Sequence, residues 1–285
     1  MAIFIIARLT VLEAIRRRIL LAALVLGIAF LIVYGIGVHL AQNDATSTRD
    51  RLPTAQNALL LSGMNNFFFL AGLYAVDFLA LAMGALASAD TLAGEIGSGT
   101  IQALVTKPVR RAHIVLGKWL GFACLLALYL AMMAGGVIAI MYVRAGYIAP
   151  NPLAGVLLIY LTALVVMTIT LMCSSMVSTL ATGGIVFGLY GLSFIGGWVE
   201  QFGAVLKNQG AIDIGIISSL IFPSEALWRR ASFEMTPAVA QALGFSFSGP
   251  MATISAPSEL MVWYAIVYLG IALAVAVRMF AKRDL

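Results

Sequence analysis

Charge is scarce in this 285-residue chain: Asp, Glu, Lys and Arg make up 10% of it, hydrophobic residues make up 62%, and the mean hydropathy is +1.03. Soluble globular domains carry roughly a quarter charged residues, so that class is excluded and the chain reads as a membrane protein. Cysteine is limited to Cys124 and Cys173, both inside apolar runs, which leaves no basis for a disulfide framework or a zinc site. His39 and His113 lie in different spans and too far apart to imply a site. The glycine-rich stretch Gly94-Glu95-Ile96-Gly97-Ser98-Gly99-Thr100 lacks the lysine that a Walker A loop needs to reach phosphates. The expectation is therefore a chain that is not an enzyme and holds no cofactor of its own. The alternation of barrel strands is missing, so only a helical bundle is plausible. No short apolar core with a cleavage site opens the chain, and no removed signal peptide is expected.

What is present is a series of runs long enough to cross a hydrocarbon core of about 30 Å, which takes about 20 apolar residues. They cover Ile19 to Leu40, Asn66 to Ala87, Ile114 to Tyr142, Leu153 to Val177, Gly184 to Phe202 and Leu260 to Phe280. The predicted fold class is an all-α integral membrane protein, a single transmembrane domain over 1–285 with six transmembrane helices. Residues 1–18 place Ile3, Ile6, Leu9 and Leu12 at helical spacing with Arg8, Glu13, Arg16 and Arg17 between them. That pattern predicts an N-terminal interfacial helix, or else an extension of the first span.

An even number of spans puts both termini on one side, and basic residues orient them. Six of the 17 Lys and Arg, namely Arg49, Arg51, Arg144, Lys207, Arg229 and Arg230, fall on the side opposite the termini, which leaves 17 − 6 = 11 on the termini side. The excess predicts cytoplasmic termini. The same clustering beside apolar spans accounts for the net charge of +5 without nucleic acid. Residues 203–258, with Ile212 to Phe222 too short to span and Pro223, Pro237, Pro250 and Pro257 behind it, predict an outer-face segment of short helices, Trp228, Arg229 and Arg230 lying at headgroup depth.

The most charged interruption of the apolar pattern is the loop 89–118, with Glu95, Lys107, Arg110, Arg111 and Lys118. Pro108 disfavours helix at Lys107, so 89–113 is expected to form a cytoplasmic hairpin in which Gly97 and Gly99 allow close backbone approach. On physical grounds alone this is either a partner-contact loop or a solvated connector. Within it, Glu95, Gly99-Thr100, Leu104, Pro108, Arg111, Ile114 and Gly117-Lys118 follow the pattern E-x3-G-T-x3-L-x3-P-x2-R-x2-I-x2-G-K. This resembles the first cytoplasmic loop of type 2 (exporter-like) ABC transporter permeases, and the arginine-rich N-terminus, six spans and basic C-terminus agree in layout.

The resemblance implies an ATP-driven transporter's membrane subunit, exporting its cargo. Two permease copies would pair in the lipid bilayer as a homodimer or heterodimer, each docked on a separate cytoplasmic ABC ATPase subunit that binds ATP and Mg. Residues implied in coupling to that ATPase are Glu95, Gly97, Gly99, Thr100, Lys107, Pro108, Arg110 and Arg111. Two alternatives remain open at this point: a permease-like subunit that transmits ATPase work to an outer-face partner without transport, and an ATPase-independent membrane enzyme or assembly subunit.

Inside the spans, Asp77 lies mid-helix, where a charge costs about 2.5 to 3.5 kcal/mol, so it is expected to face the bundle. It would line a pathway or bind a cation or proton, or else pack as a hydrogen-bonded residue beside Tyr74. Thr170 and Ser174 are further pathway candidates, although hydroxyl and small residues such as those of the fourth and fifth spans also serve helix packing. The 13 methionines suit an apolar chain without any need for copper handling, and no metal site is expected.

Overall fold

The structure, a computed structural model, describes residues 2–16, 18–49, 54–97, 110–243, 253 and 256–282. Its regular elements among those residues are all helices: α1 (Ala2–Arg16), α2 (Arg18–Arg49), α3 (Thr54–Gly97), α4 (Arg111–Ala145), α5 (Pro152–Ser174), α6 (Thr179–Leu206), α7 (Gln209–Ile221), α8 (Ser224–Met235), α9 (Ala238–Leu243) and α10 (Glu259–Lys282). Six are long and apolar enough to cross a membrane, namely α2, α3, α4, α5, α6 and α10. The predicted fold class is met. The helices overrun the predicted spans because nothing in the sequence stops a helix at the edge of the apolar run; α3 lacks proline and continues to Gly97.

The connections follow from local chemistry. Gly146, at φ 60°, ψ 20°, closes α4 by donating its N–H to Tyr142 O, a left-handed cap that glycine adopts without steric cost. Asn151, at φ 44°, sits in the same region, and Pro152 then opens α5 with φ preset for a helix. Phe222-Pro223 separates α7 from α8, and the two helices are bent by 105°.

Helix α5 is the hub, packing against α3, α4, α6, α8 and α10. The main core joins Leu70, Leu73 and Val76 of α3 to Leu126, Leu130 and Met133 of α4, with Ile159 and Ala163 of α5 and Trp228 of α8. In lipid, where no hydrophobic force drives helices together, close packing at small residues takes over. The docking of α1 on α4 is an example. A Cβ at Gly117 would lie 2.7 Å from Ile6 Cβ, and one at Gly121 would lie 2.8 Å from the backbone oxygen of Ala7. The glycine pair four residues apart lets α1 lie directly on α4, burying Ala7, Thr10 and Ala14 and leaving Phe4, Ile5 and Leu9 exposed.

One expectation is corrected here. Trp228 and Arg229 do not face out towards lipid headgroups: they are 3% and 2% exposed, packed inside the protein. Helix α7 runs back along α6, and its end reaches Ser193, 206 − 193 = 13 residues from the end of α6, or about 20 Å along the axis. The α7–α8 pair is thus a re-entrant hairpin whose second arm turns inward against α5, where Tyr74 of α3 receives the Trp228 ring at 4.8 Å between centroids.

Candidate functional site

Two regions hold the residues the sequence singles out. The first is the end of the bundle where α3 finishes and α4 begins. Ser174, the last residue of α5, donates its Oγ hydrogen to Ala89 O (2.7 Å) and accepts from Ala93 N–H (3.0 Å). Those are the two groups that pair with each other in a regular helix, so the hydroxyl of Ser174 sits against one rung of α3. One turn nearby, Thr179 Oγ1 donates to Asp90 Oδ1 (3.1 Å), and Lys118 Nζ donates to Thr91 O (3.4 Å) with the lysine 5% exposed. Both α5 and α6 therefore hold the last turns of α3 by side-chain bonds.

Glu95 and Gly97 belong to those last turns of α3, whereas Gly99, Thr100, Lys107 and Pro108 lie outside the described residues. Arg110 is exposed at the N-cap of α4. Arg111 donates to the backbone oxygen of Ala281 (3.2 Å), tying the start of α4 to the end of α10. The three arms of this surface, the ends of α3, α4 and α10, are so linked through the protein.

The second region lies midway through the bundle. Asp77 is 77 − 61 = 16 residues from one end of its apolar span and 91 − 77 = 14 from the other. It is 2% exposed, facing the protein as expected, and its Oδ1 has no hydrogen-bond partner. Glu225, in the first turn of α8 and 4% exposed, stands three residues before Trp228, whose ring packs on Tyr74, three residues before Asp77.

The hairpin that carries Glu225 is held by α6. Ser193 Oγ donates to Phe222 O (2.7 Å) and accepts from Ser224 Oγ (3.2 Å) and Glu225 N–H (3.3 Å). Arg229 Nη2 donates to Glu200 Oε2 (2.7 Å), and its Nη1 stands 2.7 Å from Oε1 in the same ion pair. Gly196 and Gly197 make room for Ser218 and Glu225, because a Cβ at either would overlap those side chains.

Of the proposed pathway residues, the structure does not bring all three together. Ser174 meets Ala89, 89 − 77 = 12 residues beyond Asp77 on α3, about 18 Å along the axis. Thr170 is fully buried and donates to its own helix at Val166 O (2.7 Å). The sequence reading misses Glu225, Glu200 and Arg229. A usable signal exists for the last two, since Glu200 interrupts an apolar span and needs a cation. Glu225 and Arg229 stand four apart on one helical face. Beside Tyr74, the faces of α3 and α6 enclose a groove of about 410 Å³ lined by Ala71, Tyr74, Ala75, Phe78, Tyr190 and Phe194.

Among known proteins, the family described as "ABC-2 family transporter protein" has a model that matches residues 4–285, nearly the full chain. No curated protein matches the chain.

Proposed function

Since the chain belongs to the ABC-2 transporter family, we propose that it is the membrane permease subunit of an ATP-driven exporter, worked by a separate ABC ATPase that grips the loop 89–118. Membrane proteins of this family are transporter components that work with ABC ATPases and are not themselves catalytic. ATP and Mg belong to the partner. The end of the bundle bearing α1, the loop and the end of α10 faces the cytoplasm, and the re-entrant hairpin faces outward, in the cell membrane.

The observation that carries this reading is the continuity of α3. One helix runs from Thr54 to Gly97, so the element that delivers Glu95 to the loop also carries Asp77 and meets the hairpin through Tyr74. A displacement imposed at Glu95, Gly97, Gly99 and Thr100 would reach mid-membrane along this one helix, past the point where Ser174 bonds Ala89 and Ala93. Lys107, Pro108 and Arg110 would meet the ATPase, and Arg111 anchors the start of α4 to α10. A second copy completes the transporter. Gly184, Gly188 and Gly191 of α6 have open space where a Cβ would stand, which suits close approach of another helix, and the aromatic groove between α3 and α6 would face the cargo path between the copies.

The test pairs Glu95→Ala with Arg110→Glu in the assembled complex. Arg110 is preferred to Arg111 because it carries no anchoring bond to Ala281. Cargo-stimulated ATP hydrolysis is expected to fall while membrane insertion and abundance stay at wild-type levels. Unchanged stimulation in both variants contradicts the coupling role.

A further inference from the structure

Helices α5 and α10 begin at the same end of the bundle, where the close of α8 meets both: a Cβ at Gly155 would overlap Met235, and Arg230 reaches Glu259. Between them lies an apolar groove of about 500 Å³, walled by the turns from Ala154 to Leu161 and from Val262 to Ile266. The α5 wall makes it about 10 Å long. The groove is open sideways, with Leu157 57% and Trp263 66% exposed. Both helices are long and apolar enough to cross a membrane, and Trp263, one turn into its span, stands where an indole suits the membrane boundary.

The mouth of the groove is charged. Arg230 Nη2 donates to Glu234 Oε1 (2.6 Å) and Glu259 Oε1 (3.3 Å), and its Nη1 donates to Pro257 O (3.3 Å). Two carboxylates against one guanidinium leave an excess of one negative charge. Nothing adjoining in the chain cancels it. Residues 235–258 carry no Asp, Glu, Lys or Arg, α5 carries none, and the next charge along α10 is Arg278, near its far end. Arg144, the last charge before α5, bonds His39 of α2 (3.4 Å).

An amphiphile seated here puts an alkyl chain in the groove and its polar head on this cluster. A protonated primary amine offers three N–H donors to carboxylate oxygens, a quaternary ammonium offers none, and a head that is anionic overall is repelled. Glu259 is available to such an amine, because its side chain is 83% exposed and an exposed ion pair holds its partner weakly.

We propose that this groove is a lipid site selective for phosphatidylethanolamine, whose acyl chain lies between α5 and α10 and whose ammonium bonds Glu259 beside Glu234. The site stands independently of ATPase coupling: it requires only this chain in a bilayer.

The test uses the full chain in phosphatidylcholine nanodiscs that contain an equal fraction of a lipid brominated on its acyl chains, bearing an ethanolamine, choline or glycerol head. Bromine quenches indole emission on contact, so the part of the quenching that Trp263→Phe removes reports this groove. The ethanolamine lipid is expected to exceed the choline lipid by about two- to fivefold in relative affinity, the range of an exposed ion pair, and the glycerol lipid not to exceed it. Glu259→Gln removes the preference, and Glu259→Lys, which reverses the excess charge, transfers it to the glycerol lipid. Equal quenching by all three heads, a glycerol preference in the wild type, or an ethanolamine preference unchanged in Glu259→Gln overturns the proposal. So does a Trp263 that none of the lipids quenches, which would mean that a second copy of the chain or another protein fills the groove.

Discussion

Replacing Arg229 by Met would expose how the re-entrant hairpin is held in place. Arg229 and Glu200 are 2% and 7% exposed, and both guanidinium prongs reach the carboxylate at 2.7 Å. Removing the cation leaves Glu200 buried among α6, α7 and α8 with no counter-charge, a loss of about 3–5 kcal/mol for a buried pair broken on one side. Against a total folding stability of about 5–15 kcal/mol, that loss is large. The double variant Glu200→Leu/Arg229→Met removes both desolvation costs and fills similar volume, so it should recover most of the loss, to within about 1–2 kcal/mol of wild type. A reversible unfolding titration in mixed micelles on the wild type, both single variants and the double variant gives the coupling energy directly. If Arg229→Met loses no more than the double variant, the ion pair does not hold the hairpin and the reasoning fails.

Gly121→Leu puts a side chain against the backbone oxygen of Ala7, 2.8 Å from the new Cβ, and backbone cannot move aside as a side chain can. The expected outcome is release of α1 with the six long helices intact, at a cost of about 1–3 kcal/mol, seen as faster hydrogen exchange over Ala2–Arg16; unchanged exchange contradicts it. Ser174→Ala removes the hydroxyl that bonds Ala89 O and Ala93 N–H, two groups that can pair with each other within α3. The net change in stability should be within about 1 kcal/mol, with the Ala93 amide no less protected and cargo-stimulated ATP hydrolysis reduced. A loss above about 2 kcal/mol would mean that these two groups depend on the hydroxyl.

How far the sequence reveals this architecture depends on which interaction decides each part. The six spans are legible because length and hydropathy alone determine a membrane helix, and Asp77 can be assigned to the protein interior because its charge is costly in lipid. The hairpin is not. Thirteen residues in α7 and twelve in α8 are each too short to signal a crossing, and Pro223 marks only a break. Their depth is decided by contacts distant in sequence, namely Gly196 and Gly197 against Ser218 and Glu225, and Glu200 against Arg229. The adjacent Trp228, Arg229 and Arg230 imitate a headgroup anchor locally, yet Trp228 and Arg229 turn inward while Arg230 pairs with Glu234 and Glu259. Ser174 reads as a pathway residue from its polarity; its bonds to α3 depend on the parallel alignment of two helices, joining residues 85 apart in the chain.

The central claim is that a separate ATPase works this bundle through its inner loop. The direct measurement is site-specific cross-linking from Thr100→Cys, with Cys124 and Cys173 replaced by Ala, in native membranes of the cells that make this chain. The account predicts a cross-linked permease–ATPase product whose yield changes between ATP-bound and nucleotide-free conditions. A Thr100 thiol labelled from outside intact cells, or no nucleotide-hydrolysing partner cross-linked in either condition, would contradict it.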